Sequence, residues 1–167
     1  MIHVARRWSI LVLGLVVVAL GAPVGASAHA LAVGRGAASA PSTGTAVSGT
    51  VRLMAVGDVM LGQSIGRRIK TKGVLAPWAK VKPYFDEADL VVANLECSIS
   101  DIGTPWQKTF TFQAPLAAAD SLVAAGVDAV TVANNHALDF GRDAFAQELG
   151  LLDQKGVGHF GGGANIA

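Results

Sequence analysis

The sequence predicts an α/β fold built on a largely parallel sheet. Three observations lead there. Short apolar runs alternate with helix-period segments from Val51 onward. The runs are continuous rather than alternating, as in strands covered on both faces. Three of them end abruptly in polar residues, at Asp58, at Asn94 and Glu96, and at Asn134, Asn135 and His136. Ligand sites of such sheets lie beyond the carboxyl ends of the strands, so these tips define one candidate edge.

The elements follow in chain order. "VRLMAVGD" (51–58) reads as a buried strand with a polar tip. "SIGRRIKTKG" (64–73) places Ile65 and Ile69 four apart and closes on Gly73, a short helix. "PWAKVKPYFDEAD" (77–89) sets Trp78, Val81, Phe85 and Ala88 at helical spacing, with Pro83 interrupting its middle. "DLVVANLE" (89–96) is the second strand. "CSISDIGTPWQKTFTFQAP" (97–115) is irregular, and its alternation over Thr109 to Gln113 predicts an edge strand or hairpin. "PLAAADSLVAAG" (115–126) opens on proline, aligns Leu116, Ala119 and Val123 on one face and stops at glycine. "VDAVTVANNH" (127–136) is the third strand. "RDAFAQELGLLDQKG" (142–156) carries Phe145, Leu149 and Leu152 on a helix ended by Gly156. "VGHFGGG" (157–163) gives a short fourth strand. "DLVVAN" and "DAVTVAN" echo one another, as two parallel strands entered from helices would, without implying duplication.

The first fifty residues stand apart. Arg6 and Arg7 precede the apolar run "WSILVLGLVVVALGA", and small residues follow at Ala26, Ala28 and Ala30. This is the pattern of a secretory signal peptide over 1–30, cleaved after Ala28 or Ala30, and it predicts an exported protein, secreted or in the cell envelope. The run is short of the ~20 apolar residues of a full span, so membrane attachment follows only if the segment stays uncleaved. Residues 31–50 are small, polar and without period, a flexible linker. The folded part is then 51–167. A formal charge of +1 gives no basic face for nucleic acid. One cysteine, Cys97, excludes an internal disulfide and reads as a buried thiol.

Carboxylates at neighbouring tips repel and raise one another's pKa unless a cation lies between them. Carboxylate oxygens, an amide oxygen and an imidazole together suit a divalent ion such as Mn, Fe or Zn. Capping is the bland reading for Asp58, Asn134 and Asp139 taken singly. Asp139 lies three residues after His136, and a carboxylate near an imidazole fixes its tautomer and stabilises its cation.

"VGDVMLG", "VVANLECSIS" and "VANNHALDFG" resemble the successive motif blocks of the bacterial capsule synthesis family, the CapA or PgsA-type poly-γ-glutamate proteins. That family is similar to calcineurin-like metallophosphoesterases and, in the third block, to 5′-nucleotidases. The resemblance implies a metallophosphoesterase-like layered αββα sandwich, here truncated after the third or fourth strand. It implies Asp58, Glu96 and Asn135 as metal ligands, His136 as the histidine facing a substrate phosphate, and Asp139 as the acid that orients it. It also implies a phosphoester-hydrolysing site, or alternatively a non-catalytic assembly or export factor for an anionic surface polymer. Partners would be such a polymer or capsule-synthesis membrane proteins.

Two departures qualify it. Met60 stands where phosphoesterases carry the histidine of Asp-x-His, and a thioether is a poor ligand for a hard cation. The later histidines of relatives have no counterpart; His159 matches no ligand block and reads as a strand-end or loop residue. The expectation is therefore a weak or incomplete metal site and poor phosphoester hydrolysis by the chain alone. Gly156-x-Gly158-x-x-Gly161 follows a helix rather than a strand, the wrong context for a dinucleotide. "GRRIKTK" reads as a solvated helix face.

Overall fold

The computed structural model describes residues 49–163 and 165. The expected signal segment (1–30) and all but the end of the expected linker (31–50) lie outside the described residues. The elements run β1 (Leu53–Val59), α1 (Gln63–Lys72), α2 (Lys82–Phe85), β2 (Leu90–Leu95), β3 (Ser98–Ile99), β4 (Gln113–Ala114), α3 (Ala117–Ala125), β5 (Ala129–Thr131), α4 (Arg142–Lys155) and β6 (Gly158–Phe160). β1, β2, β5 and β6 form one parallel sheet in that order, as the α/β reading requires.

Each new strand is added beside the last and in one direction. A right-handed crossover that always moves the same way puts every helix on the same face. The burial pattern shows this outcome. Met54, Val91, Ala93, Leu95 and Val130 are buried with Ile69 of α1, Leu122 of α3 and Leu152 of α4. Their neighbours along the strands turn the other way, and Leu53 and Leu90, paired in register, remain 46% and 39% exposed. The expectation of strands covered on both faces is corrected to one: among the described residues, no helix or strand covers the second face.

Several local details have physical causes. The irregular segment contains no hairpin: β3 and β4 pair in parallel, Ser98 with Gln113 and Ile99 with Ala114. Parallel strands cannot be joined by a tight turn, so the chain between them must loop out. The helix expected across 77–88 shrinks to α2, with Pro83 in its first turn, where a missing N–H costs nothing. Trp78 is held instead by its indole N–H to Ser121 Oγ at 2.7 Å, and the Ser121 hydroxyl donates to the Val74 carbonyl at 2.6 Å. The buried face of α3 is Ala118, Ala119, Leu122 and Ala125, not the expected Leu116 and Val123, which are exposed. An alanine-rich face lets this helix lie close to its neighbours α1 and α4.

The "DLVVAN" and "DAVTVAN" echo has a mechanical origin. Asp89 accepts the Arg52 backbone N–H at 2.7 Å, and Asp128 accepts that of Val91, also at 2.7 Å. Each aspartate satisfies a donor at the start of the preceding strand and so helps to set the register.

Two buried polar groups tie the helical layer to β3. Cys97 is wholly buried and accepts the Leu61 N–H, and burial pushes its thiol up to about 12, which makes it the inert thiol expected. Glu148 of α4 is fully buried and accepts the Ile99 N–H at 2.6 Å through Oε2, while Oε1 has no partner. Burial pushes its carboxyl up to about 8, so the neutral acid is the form the fold accommodates.

Two outcomes follow. Leu122→Ala should lower unfolding free energy by about 2–5 kcal/mol in denaturant melts. Leu53→Ala, on the uncovered face, should stay within about 0.5 kcal/mol. The Glu148 carboxyl ionises from 4.5 upward when unfolded but only near about 8 when folded. Stability from this site is therefore lost as pH rises through that window. Glu148→Gln should gain on the parent across the same range in pH-dependent melts, and a constant difference would remove Glu148 as the cause.

Candidate functional site

The site is the carboxyl rim of the sheet, and a bulge aims its first residue. In the β1–β2 register Ala55 faces Val92, but Asp58, not Gly57, faces Asn94. The extra residue in β1 turns the Asp58 side chain to the same side as Asn94. Asn94 Nδ2 then donates to Asp58 Oδ1 at 2.8 Å, and Asn134 Nδ2 donates to Asn94 Oδ1 at 3.0 Å. Three strand tips are thus stitched by side-chain amides. Gly57 within a strand was the sequence signal for this bulge.

Glu96 follows β2, its N–H bonded to the Val59 carbonyl at 3.0 Å. Its carboxyl lies within hydrogen-bonding reach of Asp58. The Asn94 amide, then the Glu96 carboxyl, hold Asp58 below the usual carboxylate range. Burial first, then the hydrogen bond and charge of Asp58, push Glu96 above it. The two neighbouring acids are thus shifted in opposite directions, Asp58 by a directed donor and Glu96 by burial.

His136 sits just past β5, 7% exposed, its backbone N–H donating to Asn134 Oδ1 at 2.9 Å. Its Nδ1 lies 2.8 Å from Asp139 Oδ2, and its Nε2 points to Glu96 Oε1 at 3.9 Å. The Phe112 ring stacks on the imidazole at 4.3 Å between centroids. Asp139 is fully buried, and burial alone would raise its pKa. The Lys108 ammonium, the His136 ring and the Phe112 N–H at 2.6 Å outweigh that and hold it below the ordinary value. An ionised Asp139 accepts, so Nδ1 is the protonated nitrogen and Nε2 offers its lone pair to the rim.

The structure therefore brings together Asp58, Glu96, His136 and Asp139. Asn135 is placed differently: its carbonyl accepts from Lys108 Nζ at 2.7 Å, while its side chain is exposed and makes no hydrogen bond to Asp58, Glu96 or His136. Met60 turns its sulfur inward, where it accepts the Gly62 N–H at 3.2 Å. His159 lies on β6, away from the rim, with Nε2 3.0 Å from Asp153. Lys108 and Phe112 were not singled out in the sequence. Both lie in a segment without periodicity, and no spacing relates them to His136.

The donor set suits a hard divalent cation in kind. Two carboxyl groups at neighbouring strand tips repel, and a cation between them would relieve that repulsion. Among the described residues, no three His, Cys, Asp or Glu side chains are preassembled at metal-binding distances. No helix of the described residues is long and apolar enough to cross a membrane.

Comparison with known proteins places the chain in a family. The chain matches the family described as bacterial capsule synthesis protein PGA_cap over residues 52–167. Two proteins of Sinorhizobium fredii (strain NBRC 101917 / NGR234), named uncharacterized protein y4sH and uncharacterized protein y4uA, are each 29% identical to it over 133 residues. Those alignments cover 75% of this chain and 28% of each relative, so the chain spans under a third of their length. The family match takes in every strand tip, the bulge and the loop that carries Lys108, and on that ground the chain belongs to the bacterial capsule synthesis protein family.

Proposed function

We propose that this chain carries a metal-dependent phosphoester-hydrolysing site of an exported capsule or poly-γ-glutamate synthesis protein. The observation that carries the reading is the line Asp58–Glu96–His136–Asp139 along one rim. Asp58 and Glu96 would hold a divalent ion such as Mn, Fe or Zn, with the exposed Asn135 amide free to join them. Bound there, the ion would lower the pKa of a water and neutralise charge on a phosphoryl oxygen.

The remaining roles belong to the chain's own residues. Asp139 holds the imidazole by Nδ1, and Phe112 holds it by its face. Nε2 is left to meet a phosphate oxygen or a leaving group, as a hydrogen-bonding or proton-donating group once protonated. The N-terminal basic and apolar pattern supports export. A substrate in an anionic surface polymer or its precursors follows from the family alone.

A second reading is an assembly or export factor for an anionic polymer that keeps the rim without turnover. The turned-in sulfur of Met60 favours it, since the position beside Asp58 offers no imidazole to a cation.

Manganese titration and p-nitrophenyl phosphate hydrolysis test the first reading. Mn binding should appear as a saturable heat in calorimetry and weaken as pH falls, because carboxylate ligands must be deprotonated to bind. Asp58→Asn should weaken binding. His136→Ala should lower kcat by about 10²–10⁴-fold, the usual worth of a positioned acid or base. Equal rates in parent and His136→Ala would refute hydrolysis at this rim. Stoichiometric Mn binding without turnover would select the second reading.

A further inference from the structure

The chain between β3 and β4 leaves the core at Ser100 and returns at Phe112. Residues 101–110 are exposed. Nothing about their burial explains their course, yet they are fastened at several points. At the start, Asp101 and Gln147 exchange two hydrogen bonds, at 3.1 and 2.7 Å. Gly103, at φ +91°, passes so near the Phe140 carbonyl that any Cβ would collide with it. At the end, Gln113 Nε2 donates to Ser100 Oγ and to the Ile102 carbonyl at 3.1 and 3.0 Å.

Between these ties, the segment is fixed to one residue three times over. The Trp106 N–H donates to the Asp139 carbonyl at 2.7 Å. The Phe112 N–H donates to Asp139 Oδ2. The Lys108 ammonium forms an ion pair with Asp139 Oδ1. Lys108 Nζ also donates to the Asn135 carbonyl and lies 3.4 Å from His136 Nδ1. One ammonium thus reaches three residues of the third motif block, Asn135, His136 and Asp139.

We propose that Lys108 is a positioning residue for His136, delivered by the 100–112 strap. Its action follows from how the Asp139 oxygens are occupied. Oδ2 already receives the imidazole and the Phe112 N–H. Among the described residues Oδ1 makes no directed hydrogen bond, and its charge is met by Lys108. Without the ammonium, a buried oxygen bearing charge lacks a partner and competes with Oδ2 for the nearest donor, the imidazole N–H. The ring would then turn away from the orientation that aims Nε2 at the rim, and the stacked Phe112 would be released with it. A solvent-exposed lysine pair contributes little, but this carboxylate is fully buried, so the pairing is not of that kind.

The kinetic consequence rests on the phosphoester reading; the positional claim does not. Lys108→Met and Lys108→Arg are compared with the parent in the full chain, after thermal melts confirm folding. The first readout is the His136 ring nitrogen spectrum of the metal-free protein, together with amide exchange at Trp106 and Phe112. The parent and Lys108→Arg should show one tautomer, with the proton on Nδ1. Lys108→Met should show a mixed tautomer and exchange at Phe112 faster by about tenfold or more. The second readout is p-nitrophenyl phosphate hydrolysis with Mn. Lys108→Met should lower kcat by about 10–100-fold, the usual effect of a residue that orients a ligand or base, with KM little changed and partial rescue by arginine. If Lys108→Met leaves the ring spectrum and Phe112 exchange unchanged, or if arginine rescues neither, the proposal is overturned. If the ring and strap respond as stated while the parent itself hydrolyses nothing, the positioning role stands and the phosphoester reading falls.

Discussion

A carboxylate cannot be taken out of water alone, and the arrangement of this rim follows from how Asp139 is accommodated. Burying an unpaired ionised carboxylate costs several kcal/mol even after relaxation. Asp139 is fully buried, so donors must come to it, and they come from distant parts of the chain. His136 lies one turn away. Phe112 and Lys108 arrive from the loop between β3 and β4, more than twenty-five residues upstream. The same requirement that keeps the acid ionised therefore gives shape to a segment with no helix or strand of its own. It also explains why an aromatic ring and an ammonium flank one imidazole.

The sheet supplies the second constraint. Strands added in one direction put all their helices on one side, so the core is one-sided and the opposite face carries exposed leucines. The carboxyl tips lie along a single edge for the same reason. Yet a regular sheet would have pointed Asp58 and Asn94 to opposite faces. The bulge at Val56 and Gly57 corrects this by one residue, and the amide chain Asp58–Asn94–Asn134 closes across three strands. A defect in the ladder, rather than the ladder itself, assembles the rim.

What the sequence made legible and what it hid divide along physical lines. Strands and helices were visible because burial imposes period, and α1, α4 and the four sheet strands fall where the apolar runs put them. The face of α3 was misjudged because alanine carries little pattern: Leu116 and Val123 look like core residues, but the buried face is Ala118, Ala119, Leu122 and Ala125, beside α1 and α4. One-sided burial was hidden because Leu53 and Leu90 read as core in any window. At the site, Asp58, Glu96, His136 and Asp139 were found because tips of neighbouring parallel strands must be close in space. Lys108 and Phe112 were not, since a loop's return path depends on what it meets and not on its own period. The Asp89 and Asp128 echo was read only as the likeness of two strands entered from helices, and the bond of each aspartate to the preceding strand gives it a specific cause.

The rim also separates two kinds of polar burial. Cys97 and Glu148 lie beneath it, their proton affinities raised by desolvation, and both are neutral groups that fasten backbone to backbone. Asp58 and Glu96 lie on it, and here desolvation is not enough to explain the pattern, because one acid is lowered while its neighbour is raised. Asn94 donates to Asp58 and stabilises it as an anion, while burial disfavours the anion of Glu96. A strand tip needing only a cap would not need a second acid against the first. Retaining both imposes a repulsion that a proton relieves in part and a divalent charge relieves more fully. The Met60 sulfur is committed to the Gly62 N–H, so the donors that face the rim beside Asp58 are the Asn94 amide and the Glu96 carboxyl.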